Sequence, residues 1–266
     1  MSGGGQFLAL GCVSEVNKFF KVCYNIKQLK LGFTLAEVLI TLGIIGVIAA
    51  LTIPTLIMNY RKIVVENQLK STYSIISQAI KLAEVENGVG FEINSSSIGD
   101  YNDVNGFSFE HSEYVFDTYF RKYFKILNAY SKSDTQTFFS YRQYNGHNMI
   151  YPSKSKCYKL VNGIGICYTA NGNDDMGYFY IYLNPNKKVK IAGRDVFSLE
   201  FKRVNGTFKL YQMIDDVYKD SERQKYIDGC VSSNTYPVSY YTGLMVCSFL
   251  IWHNNFKIPD DYPINF

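Results

Sequence analysis

The residues best equipped for chemistry are six cysteines, three histidines and three pairs of adjacent acids. The histidines, His111, His147 and His253, make no metal-ligand spacing with one another or with the cysteines, and no two cysteines form a CxxC. The acids Asp174-Asp175, Asp215-Asp216 and Asp260-Asp261 supply hard oxygen ligands of the kind Ca²⁺ prefers. The run Asn171-Gly172-Asn173-Asp174-Asp175 nevertheless lacks the spaced ligands and distal Glu of an EF-hand loop. No GxSxG, P-loop, HExxH or Rossmann fingerprint occurs, so the expectation is a protein that is not an enzyme.

The cysteines fall into two groups. Cys12 and Cys23 precede residue 33, while Cys157, Cys167, Cys230 and Cys247 lie in the last 110 residues. Four cysteines allow three connectivities. In Cys157-Tyr-Lys-Leu-Val-Asn-Gly-Ile-Gly-Ile-Cys167, a three-residue loop with Gly163 left-handed pairs 160 with 164 and brings Cys157 opposite Cys167. Facing residues in such a hairpin have Cβ atoms about 4.5–5.5 Å apart, close to disulfide range. Cys230–Cys247 then follows by elimination, and both bridges imply an oxidising compartment.

Glu37 is the one charge within the 26 residues Phe33–Met58, an apolar run long enough to cross a bilayer. It is too long for a signal-peptide core and ends at no small-x-small cleavage site. A carboxylate in such a helix costs on the order of 2.5–3.5 kcal/mol at mid-membrane and less near an end, so it asks for a function. Lys18, Lys21, Lys27 and Lys30 precede the run and outnumber Arg61 and Lys62 behind it, which favours an inside N-terminus and an outside C-terminus.

The stretch Lys30-Leu31-Gly32-Phe33-Thr34-Leu35-Ala36-Glu37-Val38-Leu39-Ile40 resembles the signal of type IV pilins and type II secretion pseudopilins. The resemblance implies cleavage by a prepilin peptidase after Gly32 and methylation of the new N-terminus, Phe33. Glu37 then becomes the fifth mature residue, the family's one buried acid, and Pro54 the twenty-second, where pilin helices bend or melt on assembly. Ala36 stands where Ile or Val is commoner, and the 32-residue leader is long. It is either a long-leader variant or a sequence whose start lies downstream. The implied partners are other subunits, the peptidase, a platform protein, an assembly ATPase and membrane lipid. The implied location is the inner membrane, single-pass with the C-terminus outside, and then a surface or periplasmic filament. Some pseudopilins hold Ca²⁺ in a head loop, which makes Asn173, Asp174 and Asp175 the candidate ligands; otherwise no cofactor is expected. The alternative is a membrane-anchored extracytoplasmic binding module or enzyme with a pilin-like anchor.

Composition agrees with an ordered chain: 47% hydrophobic, 19% charged, with 23 Tyr and 19 Phe but one Trp. Most of the net charge of +4 belongs to the lysines before Gly32, so nucleic-acid binding by bulk charge is not inferred.

These residues need positioning elements. After Pro54, Leu69, Tyr73, Ile76, Ile80 and Ala83 form a helical stripe that predicts contact with the chain's own sheet, and Asn87-Gly88 supplies a stop. A helix from Phe33 to about Glu86 is roughly 80 Å long at 1.5 Å per residue. Residues 112–128 read as a second helix with an aromatic stripe. Strands follow at 177–183, 195–201 and 207–211, with Asn205-Gly206 as a hairpin turn. The run LNPNKKVKIAGRDVFSLEF and the tail from Cys247 to Pro263 also resemble head segments of prepilin-type proteins. The expected organisation is leader 1–32, membrane half of the helix 33–58, soluble half 59–87 and head 88–266. The fold class is α+β, a long N-terminal helix on an antiparallel sheet.

Overall fold

The computed structural model describes residues 34–93, 107–144, 149–150, 152–171, 175–231 and 243–266. Of the residues singled out above, those before Thr34 (Cys12, Lys18, Lys21, Cys23, Lys27, Lys30, Leu31, Gly32 and Phe33) and His147, Gly172, Asn173 and Asp174 lie outside them. The chain divides into two compact units, Met1–Pro54 and Thr55–Phe266.

The described part of the first unit is helical. Helix α1 spans Leu35–Asn87, and its side chains from Leu35 to Pro54 are almost all exposed. The stop falls where a left-handed residue becomes possible: Gly88 has φ +96°, and the Asn87 side-chain amide donates to Ala83 O at 2.9 Å.

Within the second unit, α1 buries Val65, Leu69, Thr72, Ile76, Ala79, Ile80 and Ala83, the three-and-four spacing of one helix face. Thr72 is tolerated there because its hydroxyl donates to Gln68 O at 2.7 Å. Tyr73 sits at the margin of this face, 5.0 Å from the rings of both Trp252 and Phe256.

Ser108 caps α2, Phe109–Val115, by accepting from His111 N. The helix then widens into a π turn, Phe116–Phe120, and tightens into a 3₁₀ turn, Arg121–Tyr123. The expected helix over 112–128 is therefore corrected at both ends. The wide π turn brings residues four apart closer into line, and Phe116, Phe120 and Phe124 are all buried. Beyond Phe124 the backbone finds a strand partner, so Ile126–Ala129 becomes β1 instead of a further helical turn.

Helix α3 (Lys132–Phe138) leads to a small ladder of β2 (Tyr141–Arg142) and β3 (Met149–Ile150). The main sheet continues with β4 (Lys156–Leu160), β5 (Gly165–Ala170), β6 (Met176–Tyr182), β7 (Val196–Val204) and β8 (Thr207–Tyr211). Helices α4 (Arg223–Val231) and α5 (Gly243–His253) complete the elements. The sheet has six antiparallel strands in the order β1-β4-β5-β6-β7-β8. Asn205 (φ +53°) and Gly206 (φ +82°) are both left-handed, the requirement of the tight turn joining β7 to β8.

Alternation along the strands gives the sheet two apolar faces. Ile166, Tyr168, Phe179, Ile181, Leu199 and Phe201 share a core with α1 and the Phe116/Phe120 turn. Cys157, Cys167, Tyr182 and Val196 point the other way and pack with Phe139, Tyr141 and Leu244 of α5. Ser248 ties α5 to β7, its hydroxyl accepting from Ser198 N at 2.8 Å and donating to Leu244 O at 2.7 Å. The fold is α+β with the helix packed on the antiparallel sheet, as the sequence predicts.

Candidate functional site

Glu37 stands in the first turn of α1, and the residue that holds it is Thr34. One carboxylate oxygen, Oε2, accepts from both the backbone N–H and the hydroxyl of Thr34 at 2.8 Å each. In return the Thr34 hydroxyl accepts from Glu37 N at 3.2 Å. This is a reciprocal capping box: each side chain satisfies an N–H that a helix start leaves without a partner. Thr34 was not singled out above, although Thr-x-x-Glu ahead of an apolar run is the signature of such a cap. Oε1 takes part in neither bond.

Behind this cap the helix presents apolar side chains on all sides. Leu35, Leu42, Ile45, Val47 and Leu51 are each at least 60% exposed. The α1 helix is long and apolar enough to cross a membrane. Such a surface has no stabilising environment in water and gains about 25 cal/mol per Å² on transfer to an apolar one. Two hydroxyls in the segment are satisfied internally, Thr41 to Val38 O at 3.0 Å and Thr52 to Ile48 O at 2.9 Å. Pro54 lies within the helix and, lacking an N–H, leaves Ala50 O without its usual donor. It also marks the last residue of the first unit.

The structure joins Cys157 to Cys167 and Cys230 to Cys247. Cys157 and Cys167 are directly paired across β4 and β5, and the loop between them has Gly163 at φ +87°. Both disulfides fit an oxidising, extracytoplasmic setting.

The Gly-Arg-Asp run ahead of β7 closes a loop against the second disulfide. The Asp195 carboxylate accepts from Ile191 N at 2.9 Å and from the Lys187 ammonium at 2.6 Å. Gly193 has φ +76°, and its carbonyl accepts from the Tyr262 hydroxyl at 2.6 Å. The resemblance noted for this run and for the cysteine-containing tail therefore falls on residues that hold one another.

Of the Ca²⁺ candidates only Asp175 is described, and its carboxylate is engaged by Arg203 at 3.2 Å and by Ile93 N at 3.4 Å. Arg203 also donates to Phe91 O, so a fixed cation already occupies the side of Asp175. Among the described residues no three His, Cys, Asp or Glu side chains converge as a metal site. Asp215 lies 3.7 Å from His253 Nδ1, and burial raises its pKa. Asp261 forms a two-pronged pair with Arg223 at 2.7 and 2.8 Å, whose hydrogen bonds hold its carboxyl below the usual range.

A cleft of about 330 Å³ opens beside β5 and β6, lined by Phe107, Tyr141, Pro152, Tyr178, Tyr180 and Met245 among others. Burial, with a smaller push from Glu200, moves the Tyr180 hydroxyl up to about 12, far from the range of a proton-transfer group at neutral pH.

No curated protein and no solved structure matches the chain. The matched family region begins one residue after Pro54 and covers the whole second unit, so most of the apolar segment and its Glu37 cap precede it. Through residues 55–266 the chain belongs to a family described as a family of unknown function (DUF6613).

Proposed function

We propose that this protein is a prepilin-type subunit of a type IV filament machine, a pilus or a secretion pseudopilus. In this reading it is cut after Gly32, methylated on Phe33 and held in the inner membrane with its C-terminal unit outside. The observation that carries the reading is Glu37: one acid at the capped start of α1, ahead of a stretch that carries no further charge up to Met58 and whose side chains are almost all exposed.

Cleavage after Gly32 creates a cationic amine one residue before Thr34. In a filament the Glu37 carboxylate of one subunit accepts that amine from its neighbour. Pairing offsets the desolvation each charge would otherwise bear alone. The capping box supports this role by orienting the carboxylate through Oε2, which leaves Oε1 for the neighbour. The second unit, cross-linked by two disulfides, is the part displayed outside. Other subunits, the peptidase, a platform protein and an assembly ATPase are the partners that this route needs.

The test is mass spectrometry of the N-terminal peptide from sheared surface fibres and, separately, from membranes. Methylated Phe33 abundant in fibres identifies a structural pilin. Methylated Phe33 confined to membranes identifies a pseudopilin or a rare minor subunit. An intact Gly32–Phe33 bond in both fractions reduces the helix to an anchor and ends the filament reading.

A further inference from the structure

We infer that the polar groove beside Arg61 binds the phosphate headgroup of an anionic phospholipid at the surface of the membrane that holds the apolar helix. The inference rests on the membrane-anchored reading of the preceding section. The groove, about 770 Å³, lies within the second unit between α1, the β4–β5 turn and the 183–195 loop. Its cations are Arg61, Lys159, Lys187 and Arg194. Against them stands the Asp195 carboxylate. Asp195 is already shared by Lys187 at 2.6 Å and Arg194 at 3.3 Å. No acidic side chain among the described residues pairs with Arg61 or Lys159, so the groove keeps a positive excess.

Three asparagines add uncharged donors. Asn162 Oδ1 accepts from Ile164 N at 3.2 Å, Asn184 Oδ1 from Asn186 N at 3.1 Å, and Asn186 Oδ1 from the Lys159 ammonium at 3.5 Å. Each carbonyl oxygen is thus engaged within the protein, and each side chain retains its amide N–H donors for an acceptor-rich ligand such as a phosphodiester. Fixed amides together with cations suit a phosphate better than a flexible carboxylate partner.

Position along the helix selects the source of that phosphate. Arg61 is three residues past Met58, the last of the apolar run, or about 4.5 Å farther along the axis. A bilayer that accommodates the apolar run therefore places its headgroups at the level of Arg61. Tyr60, beside it and 65% exposed, is of the type enriched at membrane interfaces. A basic side chain at such a surface is worth about 1 kcal/mol, or roughly fivefold in binding.

The experiment uses the full chain reconstituted into phosphatidylcholine vesicles and into mixed phosphatidylcholine–phosphatidylglycerol vesicles. After flotation, the protein is re-extracted in mild detergent and its retained lipid is quantified by mass spectrometry. The expected result is enrichment of phosphatidylglycerol over the bulk ratio, lost at high salt. In Arg61→Gln/Lys159→Gln it falls at least about fivefold, and in Lys225→Gln, on α4, it is unchanged. Flotation without enrichment, or equal enrichment in the groove variant, overturns the site while leaving the anchor intact. Failure to float with either vesicle overturns the anchor and the site together. Hydrogen exchange in lipid-free detergent supplies the last arm: protection of the 183–187 loop by inorganic phosphate equal to that given by phosphatidylglycerol makes this a free-anion site and overturns the lipid assignment.

Discussion

The α-carbon of Gly193 faces Cys247 so closely that a β-carbon there would stand 2.7 Å from the Cys247 sulfur. The same glycine is left-handed and accepts the Tyr262 hydroxyl on its carbonyl. The loop before β7, the Cys230–Cys247 disulfide and the C-terminal tail therefore meet at one point, and that point has room for hydrogen only.

Gly193→Ala is expected to lower stability by roughly 2–4 kcal/mol, from left-handed strain plus overpacking. Thermal unfolding measures it, at about 2–4 °C per kcal/mol for a unit of this size. Gly163→Ala has the same backbone sign but open space around it, so it should lose less. Equal losses at the two sites would rule out the crowding argument.

Both disulfides cross-link short spans, with sequence separations of 10 and 17. On a chain-entropy basis each adds about 3 kcal/mol. Paired Cys→Ser replacement at either bridge should cost about that much in denaturant unfolding. Without reductant, the four cysteines should resist alkylation even when the chain is unfolded. Labelling of any of them under those conditions contradicts the pairing.

Glu37 caps α1 through Thr34, and the proposed filament reading gives its charge a second, separable role. Glu37→Gln keeps an N3 side chain able to reach Thr34 but removes the charge. On the filament reading it should fold normally and still assemble poorly, and Glu37→Ala, which removes both cap and charge, should assemble poorly too. Thr34→Val should weaken the cap by about 1 kcal/mol while leaving filaments in place. Normal filament yield from Glu37→Gln, scored by electron microscopy and fibre shearing, argues against the charge role.

His111 is buried, with Nε2 2.9 Å from Ile93 O, and desolvation lowers its pKa. A histidine whose folded pKa lies below its unfolded value binds more protons when unfolded. Its contribution is complete above the ordinary value of about 6.5 and is lost as pH falls toward the depressed folded value. Denaturant midpoints should therefore decline below about pH 6.5, and His111→Gln should flatten that slope. A slope unchanged by the substitution assigns the effect to other groups.

Asp175 is committed to Arg203 and Ile93, so Ca²⁺ should not shift the melting temperature of the purified protein. Asp175→Ala should lower that temperature with or without Ca²⁺, by the loss of a partly buried pair. A Ca²⁺-dependent rise that Asp175→Ala abolishes would establish the loop as a metal site.

The local chemistry of short segments was legible in the sequence. Asn205-Gly206 favours a tight turn, Asn87-Gly88 favours a helix stop, and the Val161–Gly163 loop sets the register that faces Cys157 with Cys167. The apolar run around Glu37 was equally plain, because twenty or more residues without a second charge have few alternatives. Thr34 was legible too, in its three-residue spacing from Glu37, but it shows its use only as the helix start whose free N–H groups need partners. The rest depended on distant partners. Ile126–Ala129 continues an aromatic helical pattern, yet it becomes a strand because the edge of β4 offers backbone hydrogen bonds that no local propensity outweighs. Gly193 meets Cys247 across more than fifty residues, and Arg61 shares a groove with Lys159 and Lys187 only after the sheet has formed. Sequence spacing determines which residues lie on one face of one element; packing between elements decides which faces meet.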